Sequence, residues 1–367
     1  MKHLRFLSML ALLFVGCVDN ESPFTPEETN VDYTIMPQLG EVRDVFIEDD
    51  IIFIATESKG VFVYELDNNG IMQLMYTNES WGDRKDMRSI HYYKDNKILV
   101  ALDRFGLVYQ EYLPYLLGEE DHPLGDNTDT LRAIDCNVAT HATKIAANGI
   151  DEFGNPELFV LYKHNADLEL YLDESYSEIK RINYDDFFLN ALNDVHITQC
   201  QDAFSVNDTL NYAINDMYNH GDNIFVANTD SSLYTYTIFN ESGEFIAKDT
   251  INAEVLSIYG NDDYVFAGTR QDGCYITLLN QSGLSQNPDD KLHIAHNMSI
   301  LDIHYDSTND KLVLSCGSNG VLVYDWNNGN PIENYRIYSS YAFTAKMLNN
   351  LILVATKNGL EVFNIEE

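Results

Sequence analysis

The chain has 367 residues, and its 58 acidic residues against 22 lysines and arginines give a formal net charge of −36 at pH 7. Nucleic acid and anionic lipid head groups are excluded as partners, because so acidic a protein would repel both. Cationic and neutral partners remain.

The amino-terminal segment predicts export. Lys2 and Arg5 precede an apolar run at 7–15, the order expected of a secretion signal, and the run is too short for a membrane-spanning helix. Residues 14–17 resemble a bacterial lipobox, so we expect cleavage after residue 16 and lipid on Cys17. The alternative is an ordinary signal peptide cut nearby. A lipid on Cys17 would make the chain an outer-membrane lipoprotein that faces the periplasm or the cell surface and touches the membrane only there.

Beyond the signal, the composition changes twice. Residues 17–32 hold several acids and two prolines but little to bury, which predicts a flexible acidic tether. Residues 33–367 then repeat one pattern, in which a hydrophobic strand ends in a small residue and a polar turn leads into a strand that opens with glycine. The first copy covers 53–64 and the last covers 353–363. Units of this kind must stack on neighbours to bury their apolar faces.

Each repeat unit predicts four antiparallel strands, which in the first unit lie at 42–47, 51–56, 61–66 and 71–76. Glycine opens the third strand in five units and Ser232 replaces it in a sixth. A further unit without glycine, with its second and third strands at 157–161 and 167–172, fills the longest interval. The sequence therefore predicts an all-β, seven-bladed β-propeller of four-stranded antiparallel blades. An eighth, degenerate blade around 179–200 is the alternative.

The two ends of the domain predict how the ring closes. The last unit stops after its third strand, whereas residues 33–36 precede the first unit and have no partner there. We therefore expect the amino-terminal strand to complete the last blade and to cover its sheet edge.

Three of the repeats resemble a known family. Gly60–Tyr64, Gly320–Asp325 and Gly359–Phe363 are similar to the Gly-Leu-x-(Ile/Val)-x-Asp core of the LVIVP-repeat propellers, which occur in many bacterial lipoproteins and surface proteins. The resemblance spans residues 33–367. It implies the propeller fold but no activity, because propellers serve as binding scaffolds and as enzymes alike.

Small polar residues recur at one position of the predicted first strands, which line the central channel of a propeller. They are Asp44, Ser89, Asp216, Ser257, Asp302 and Thr344. In one interpretation they bind a ligand at the channel mouth, either a calcium ion or a sugar or peptide. In the other they form hydrogen bonds to neighbouring backbone groups, and no cofactor is required.

Four residues near that mouth are candidates for recognition. Arg43 and Arg88 precede two of the channel positions and either pair with acids or bind a carboxylate. Arg104 and Phe105 lie in a predicted turn between second and third strands, which we expect on the same face as the channel mouth. Such loops often hold the functional residues of a rigid scaffold.

If Cys17 carries lipid, four cysteines remain. Cys136 and Cys200 each precede a strand, and an exported protein can form a disulfide between them. Spacing does not determine connectivity, so the sequence leaves this bond undecided. Cys274 and Cys316 lie within predicted strands and are expected to be buried.

The sequence contains no HExxH, G-x-S-x-G, phosphate-loop, dinucleotide or EF-hand motif. We therefore expect a non-catalytic, monomeric lipoprotein that binds a protein, peptide or glycan on one propeller face. The alternative is a propeller hydrolase or lactonase with a metal held by Asp44, Asp216 and Asp302. A purely structural surface protein is a third hypothesis.

Overall fold

The computed structural model describes residues 32–67, 70–77, 86–121, 132–135, 141–150, 156–164, 176–183, 201–202, 213–230, 233–240, 245–280, 283–327 and 329–365. These residues belong to one unit that spans 31–367. The predicted signal at 1–16, Cys17, the rest of the tether up to residue 31, Cys136 and Cys200 lie outside the described residues. No helix in the described ranges is long and apolar enough to cross a bilayer.

The described strands form seven antiparallel sheets, each with four strands side by side in chain order from the inside outward, except in the seventh. The strands of blades 1 to 4 are β2 (Val42–Glu48), β3 (Ile51–Thr56), β4 (Gly60–Leu66) and β5 (Met72–Thr77); β6 (Met87–Tyr93), β7 (Ile98–Asp103), β8 (Leu107–Tyr112) and β9 (Arg132–Asp135); β10 (His141–Ile150), β11 (Pro156–His164), β12 (Tyr176–Asn183) and β13 (Gln201–Asp202); and β14 (Ala213–His220), β15 (Asn223–Asp230), β16 (Leu233–Asn240) and β17 (Phe245–Ile251).

Blades 5 to 7 follow the same plan. Their strands are β18 (Val255–Gly260), β19 (Tyr264–Thr269), β20 (Cys274–Asn280) and β22 (Lys291–Ile294), with the short β21 (Gly283–Leu284) beside the end of β20; β23 (Asp302–Asp306), β24 (Lys311–Ser315), β25 (Val321–Asn327) and β26 (Asn330–Ile337); and β27 (Thr344–Leu348), β28 (Leu351–Thr356), β29 (Gly359–Asn364) and β1 (Asp32–Met36). A short helix α1 (Leu113–Leu116) and two 3-10 helices (Pro37–Leu39 and Pro288–Asp290) complete the described elements.

The first strands of the blades stand around a closed ring. β2 contacts β6, and the sequence of contacts continues through β10, β14, β18, β23 and β27, which contacts β2 again. The fold is therefore the predicted seven-bladed β-propeller. The alternative eighth blade is wrong for the described residues, because β12 and β13, which fall in or near 179–200, are the third and fourth strands of blade 3.

The hydrophobic core is divided among the spaces between neighbouring blades, and each of the seven described core clusters joins two of them. Alternation along a strand explains this division. In β3, Phe53 and Ala55 pack against blade 2, whereas Ile52 and Ile54 pack against blade 7. The second strand of a blade is consequently buried on both sides and is almost wholly apolar, as the sequence of β3 shows.

The glycine that opens the third strand is required by a close backbone contact. Gly273, Gly320 and Gly359 have φ angles of +78°, +77° and +132°. A Cβ atom on each would overlap the carbonyl oxygen of the last residue of the outer strand. Those oxygens belong to Ile294, Ile337 and Met36. The recurring glycine is therefore a marker of the place where the outer strand approaches the third strand.

The ends of the domain share blade 7, as predicted. β1 pairs antiparallel with β29, with Asp32 opposite Asn364 and Met36 opposite Leu360. The rings of Tyr33 and Phe363 stack with their centroids 5.3 Å apart across this pair. The amino-terminal strand thus covers the edge that the last blade would otherwise expose.

One predicted strand is wrong. The third strand of blade 3 is β12, not the segment at 167–172, which lies outside the described residues. The segment at 167–172 alternates apolar and polar residues, whereas the apolar residues of β12 are three positions apart; even so, Ile182 and Ile179 of β12 fill the cores toward blades 2 and 4 respectively. This blade lacks the glycine that marks the third strand elsewhere, so the sequence offered no way to choose between them.

Candidate binding face

The propeller has two faces that receive different parts of the chain. In blade 7, Thr344 opens the first strand and pairs with Ala355, next to the turn at 357–358 that joins the second and third strands. Starts of first strands and these turns therefore share one face, which we call the upper face. The turns at 57–59 and 104–106 lie on it, as expected.

Seven side chains, one from each blade, occupy equivalent positions at the start of the first strands, and we call them the mouth ring. Six of them are the residues predicted from the sequence. In five blades the position follows a shift in the register between first and second strands. The members are Asp44, Ser89, Lys144, Asp216, Ser257, Asp302 and Thr344.

Lys144 is the member that sequence reasoning missed, because the search was for small polar side chains. A usable signal was present. Every member of the mouth ring is followed by a buried apolar residue, and Lys144 is followed by Ile145. The polar–apolar pair, rather than the size of the polar residue, identifies the position.

The acids of the mouth ring accept hydrogen bonds from the next blade. The Asp44 Oδ2 atom accepts from the Ser89 hydroxyl at 2.9 Å and from the Ile90 amide at 3.1 Å. Asp216 accepts from the Ile258 amide at 2.9 Å, and Asp302 accepts from the Thr344 hydroxyl at 2.5 Å. These carboxylates therefore connect blades 1 and 2, 4 and 5, and 6 and 7.

Two lysines neutralise part of this buried charge. The Lys144 Nζ atom lies 2.7 Å from Asp216 and 4.0 Å from Asp302, and Lys346 Nζ lies 3.0 Å from Asp302. Burial alone would lower the pKa of Lys144, but Asp216 and Asp302 raise it to about 12. Burial would likewise raise the pKa of Asp302, yet Lys346 and Lys144 hold it below its ordinary value.

Within the part of the chain that the structure describes, no cation lies within ion-pair distance of the third carboxylate, that of Asp44. Burial raises the pKa of Asp44 and that of Asp216. A calcium ion takes six to eight oxygen ligands. Here hydroxyls, amides and ammonium groups already contact the acid oxygens. Among the described residues, no group of three or more His, Cys, Asp or Glu side chains is arranged to hold a metal.

An aromatic layer lies two residues further along the first strands. Phe46 and His91 meet edge to face with ring centroids 4.4 Å apart, and Tyr218 and Tyr259 lie 4.3 Å apart. Burial lowers the pKa of His91 and of His304 to about 3, so both imidazoles are neutral at physiological pH. Sequence reasoning missed this layer, since the residues share no type.

The predicted recognition arginines form a chain of ion pairs across blades 1 and 2 on the upper face. Arg43 pairs with Glu41 at 2.8 Å and with Glu57 at 3.0 Å. Arg88 then joins Glu57, at 3.3 Å, to Asp86, at 3.1 Å. Burial and a hydrogen bond to Glu57 raise the pKa of Glu41, while that bond lowers the pKa of Glu57.

Arg104 ends this chain at the rim. It contacts Asp86 at 3.3 Å, and its guanidinium carbon lies 4.7 Å from the ring centroid of Phe105. Phe105 is 53% exposed, and the Arg104 side chain is 46% exposed. Asp103 fixes their turn, because its carboxylate accepts hydrogen bonds from the amides of Phe105 and Leu107 at 2.8 and 2.9 Å. The pair is therefore a solvent-facing cation and ring on a rigid turn.

The buried cysteines match their prediction. Cys274 and Cys316 are free and buried, and burial raises the pKa of the Cys316 thiol to about 12.

Comparison with solved structures supports the fold. The chain is similar to the WD40 β-propeller domain of Doa1, with a TM-score of 0.56 and 12% identity over 89% of this chain and 94% of that one. It is similar to a chain of the Mitotic Checkpoint Complex, with a TM-score of 0.60 and 10% identity over 96% and 98% of the two chains. The computationally designed Ika8 protein matches with a TM-score of 0.54 and 13% identity over 88% and 83%.

No protein-family model matches the sequence, and no curated protein sequence matches it. The likenesses therefore show the β-propeller fold alone.

Proposed function

We propose that this protein is a non-catalytic binding scaffold of the bacterial cell envelope, anchored by lipid on Cys17, that takes a protein, peptide or glycan partner on its upper face. The observation that carries the proposal is that the charged residues of that face fall into two groups, one bonded within the protein and one exposed to solvent. The carboxylates of the mouth ring contact groups of the protein itself, whereas the turn at Arg104 and Phe105 directs an exposed cation and ring to solvent. Arginine and aromatic side chains are the residues most often found at binding hot spots.

The acids of the mouth ring, together with Lys144 and the neighbouring Lys346, favour a scaffold over a metal-dependent hydrolase or lactonase. A metal at Asp216 and Asp302 would have to displace the ammonium groups of Lys144 and Lys346. The acids also connect adjacent blades, which is a structural role. The neighbour from the Mitotic Checkpoint Complex is part of an assembly, and this supports a protein partner for the present chain.

The topology shows at which face β1 begins. β1 begins at Asp32, opposite Asn364, and this end of the strand lies at the lower face because Met36 pairs with Leu360 near the upper turn. β1 therefore begins at the lower face.

The binding role is tested with purified protein and collections of peptides and glycans, because a ligand that binds only the folded state raises its melting temperature. We expect a peptide or glycan to raise it, and the increase to vanish when Arg104 and Phe105 are both replaced by alanine. Lys94→Ala, at a lower-face turn, is the control and should keep the increase. A shift with calcium alone would favour the metal enzyme, and no shift with any ligand would favour a structural role.

The anchor is tested in cells fed a labelled fatty acid. We expect label on the wild-type protein and none on Cys17→Ser. Equal labelling of both would contradict lipid attachment at Cys17.

A further inference from the structure

Three lysines differ from most other cations of this acidic protein. Among the described side chains, Lys59, Lys248 and Lys357 form no ion pair, whereas most of the remaining lysines and arginines contact a carboxylate. With 58 acids in the chain, a lysine without a carboxylate is unexpected. Such a lysine on a functional face is a candidate contact for a partner's anion.

Two of the three lysines lie together where the ring closes. Lys59 and Lys357 are exposed on the upper turns of blades 1 and 7. Lys59 Nζ donates a hydrogen bond to the carbonyl oxygen of Gln38, in the 3-10 helix that packs against β29 directly after the Lys357 turn. Lys357 in turn lies within electrostatic reach of Glu41. Lys248 is also exposed but lies on the outer strand of blade 4, far along the ring.

The acids beside these lysines are already engaged. Glu41 and Glu57 both contact Arg43, and Glu57 contacts Arg88 as well. A third acid, Glu361, accepts hydrogen bonds from the Ser340 amide. Among the described residues, neither lysine has a carboxylate within ion-pair distance. This surface therefore offers two ammonium groups that are not held in direct ion pairs.

Two aromatic rings lie against Lys357 and Arg43. Lys357 Nζ lies 5.0 Å from the ring centroid of Tyr341, and the Arg43 guanidinium carbon lies 4.9 Å from that of Phe343. The two rings are 5.1 Å apart. We call the set Arg43, Lys59, Tyr341, Phe343 and Lys357 the closure surface. It places ammonium groups beside apolar ring area, and this combination suits a carboxylate attached to an apolar group.

The charge of the whole protein limits which carboxylates can bind. A polyanion would meet the repulsion of a chain with net charge −36, and this repulsion extends about 8–10 Å at physiological salt. A single carboxylate on an otherwise neutral ligand gains the local contacts with little of that repulsion. The ligand class is therefore narrow.

We propose that the closure surface binds a peptide that presents one carboxylate, such as its free carboxyl terminus, beside an apolar side chain. This inference rests on the binding role proposed above and names the chemistry of the partner. A peptide is favoured over a glycan because Phe343 and Tyr341 supply apolar ring area for a side chain next to the carboxylate.

The test uses two pools of random heptapeptides without Asp or Glu, identical except that one has free carboxyl termini and the other has amidated termini. Immobilised wild-type protein should retain the free-carboxyl pool at least about tenfold better, a difference of about 1.4 kcal/mol. Replacing Lys59 and Lys357 together by alanine should remove the preference, and Lys248→Ala should keep it. Because all three lysines are exposed, circular dichroism should show the variants folded alike.

The outcomes separate this inference from the proposed function. Equal retention of both pools, or a preference that survives the double substitution, would overturn the inference while leaving a peptide-binding scaffold. Retention of neither pool would overturn the inference and the peptide form of the proposed function. Tighter retention of polyglutamate than of the free-carboxyl pool, or of a uronic-acid oligosaccharide that depends on the two lysines, would replace the proposed ligand by a polyanion or a glycan.

Discussion

The mouth ring and the upper turns contain the same kinds of charged residues, but their surroundings give them opposite roles. Asp302 of the mouth ring meets the neighbouring Lys346 at 3.0 Å, and their side chains are only 15% and 20% exposed, so water cannot fully solvate either charge if the other is removed. Arg104 and Asp86 meet at 3.3 Å, but the Arg104 side chain is 46% exposed and remains solvated. Removing one partner is therefore costly in the ring and nearly neutral at the turn. A stability scan would locate the ring, and a binding scan would locate the face.

The largest effect is expected from Asp302→Asn, which leaves the ammonium group of Lys346 without its carboxylate. We expect unfolding to become easier by about 3–5 kcal/mol, the usual result of breaking a buried ion pair. The measurement is equilibrium denaturation in urea. As a control, Asp325→Asn removes a carboxylate that is 43% exposed from its pair with Lys311 and should cost less than about 1 kcal/mol. Equal losses in the two variants would abolish the contrast between buried and exposed charges.

Acid should weaken the channel before it affects the turns. The unfolded chain takes up protons on His91 and His304 near pH 6.5, whereas in the folded chain their pKa values are about 3. Because the folded-state pKa values are depressed, the stability is fully present above pH 6.5 and is lost progressively as the pH falls from about 6.5 toward 3. Each histidine should contribute a slope of up to about 1.4 kcal/mol per pH unit.

The histidine effect is measured by the free energy of unfolding between pH 7 and pH 5. His91→Phe keeps a ring against Phe46 and removes the titrating nitrogen. This variant should show about half the wild-type slope. An unchanged slope would mean that the pKa of His91 is the same in the folded and the unfolded chain.

A smaller effect is expected from Ser89→Ala, which removes one of the two hydrogen bonds that Asp44 receives from blade 2. The buried carboxylate keeps the Ile90 amide, so we expect a loss of about 1–2 kcal/mol in thermal or urea unfolding. A loss under about 0.3 kcal/mol would show that the bond does not link the blades.

The smallest stability effect is expected from Arg104→Ala, which should change the free energy of unfolding by less than about 0.5 kcal/mol. The same variant should lower the affinity for an upper-face ligand. A stability loss as large as that of Asp302→Asn would place Arg104 with the structural charges and would argue against recognition by the turn.

The sequence predicted those parts of the fold whose cause is local. A third strand begins where a glycine avoids the carbonyl of the outer strand, as at Gly320 against Ile337, and such a requirement leaves the same mark in each repeat. Closure was also predictable, since the last unit lacked the strand that residues 33–36 supplied. Blade 3 has no such glycine, and there the third strand was placed wrongly.

The candidate site was predictable only in part, because its chemistry arises between blades. Asp44, Asp216 and Asp302 were identified by their repeated position, but nothing local shows that Lys144 and Lys346 neutralise them. The absence of ion pairs at Lys59 and Lys357, among the described residues, is likewise a property of the assembled face. Repetition along a chain reveals equivalent positions, and only the closed ring reveals which of them meet.

The pairing of β1 with β29 has a mechanical consequence. If the propeller hangs from its amino terminus, a force on the anchor pulls at Asp32 along the strand axis and loads the five residue pairs between β1 and β29 in shear. Shear requires those bonds to fail together, whereas peeling would break them one at a time. The strand that closes the ring would then also resist a force applied at the amino terminus.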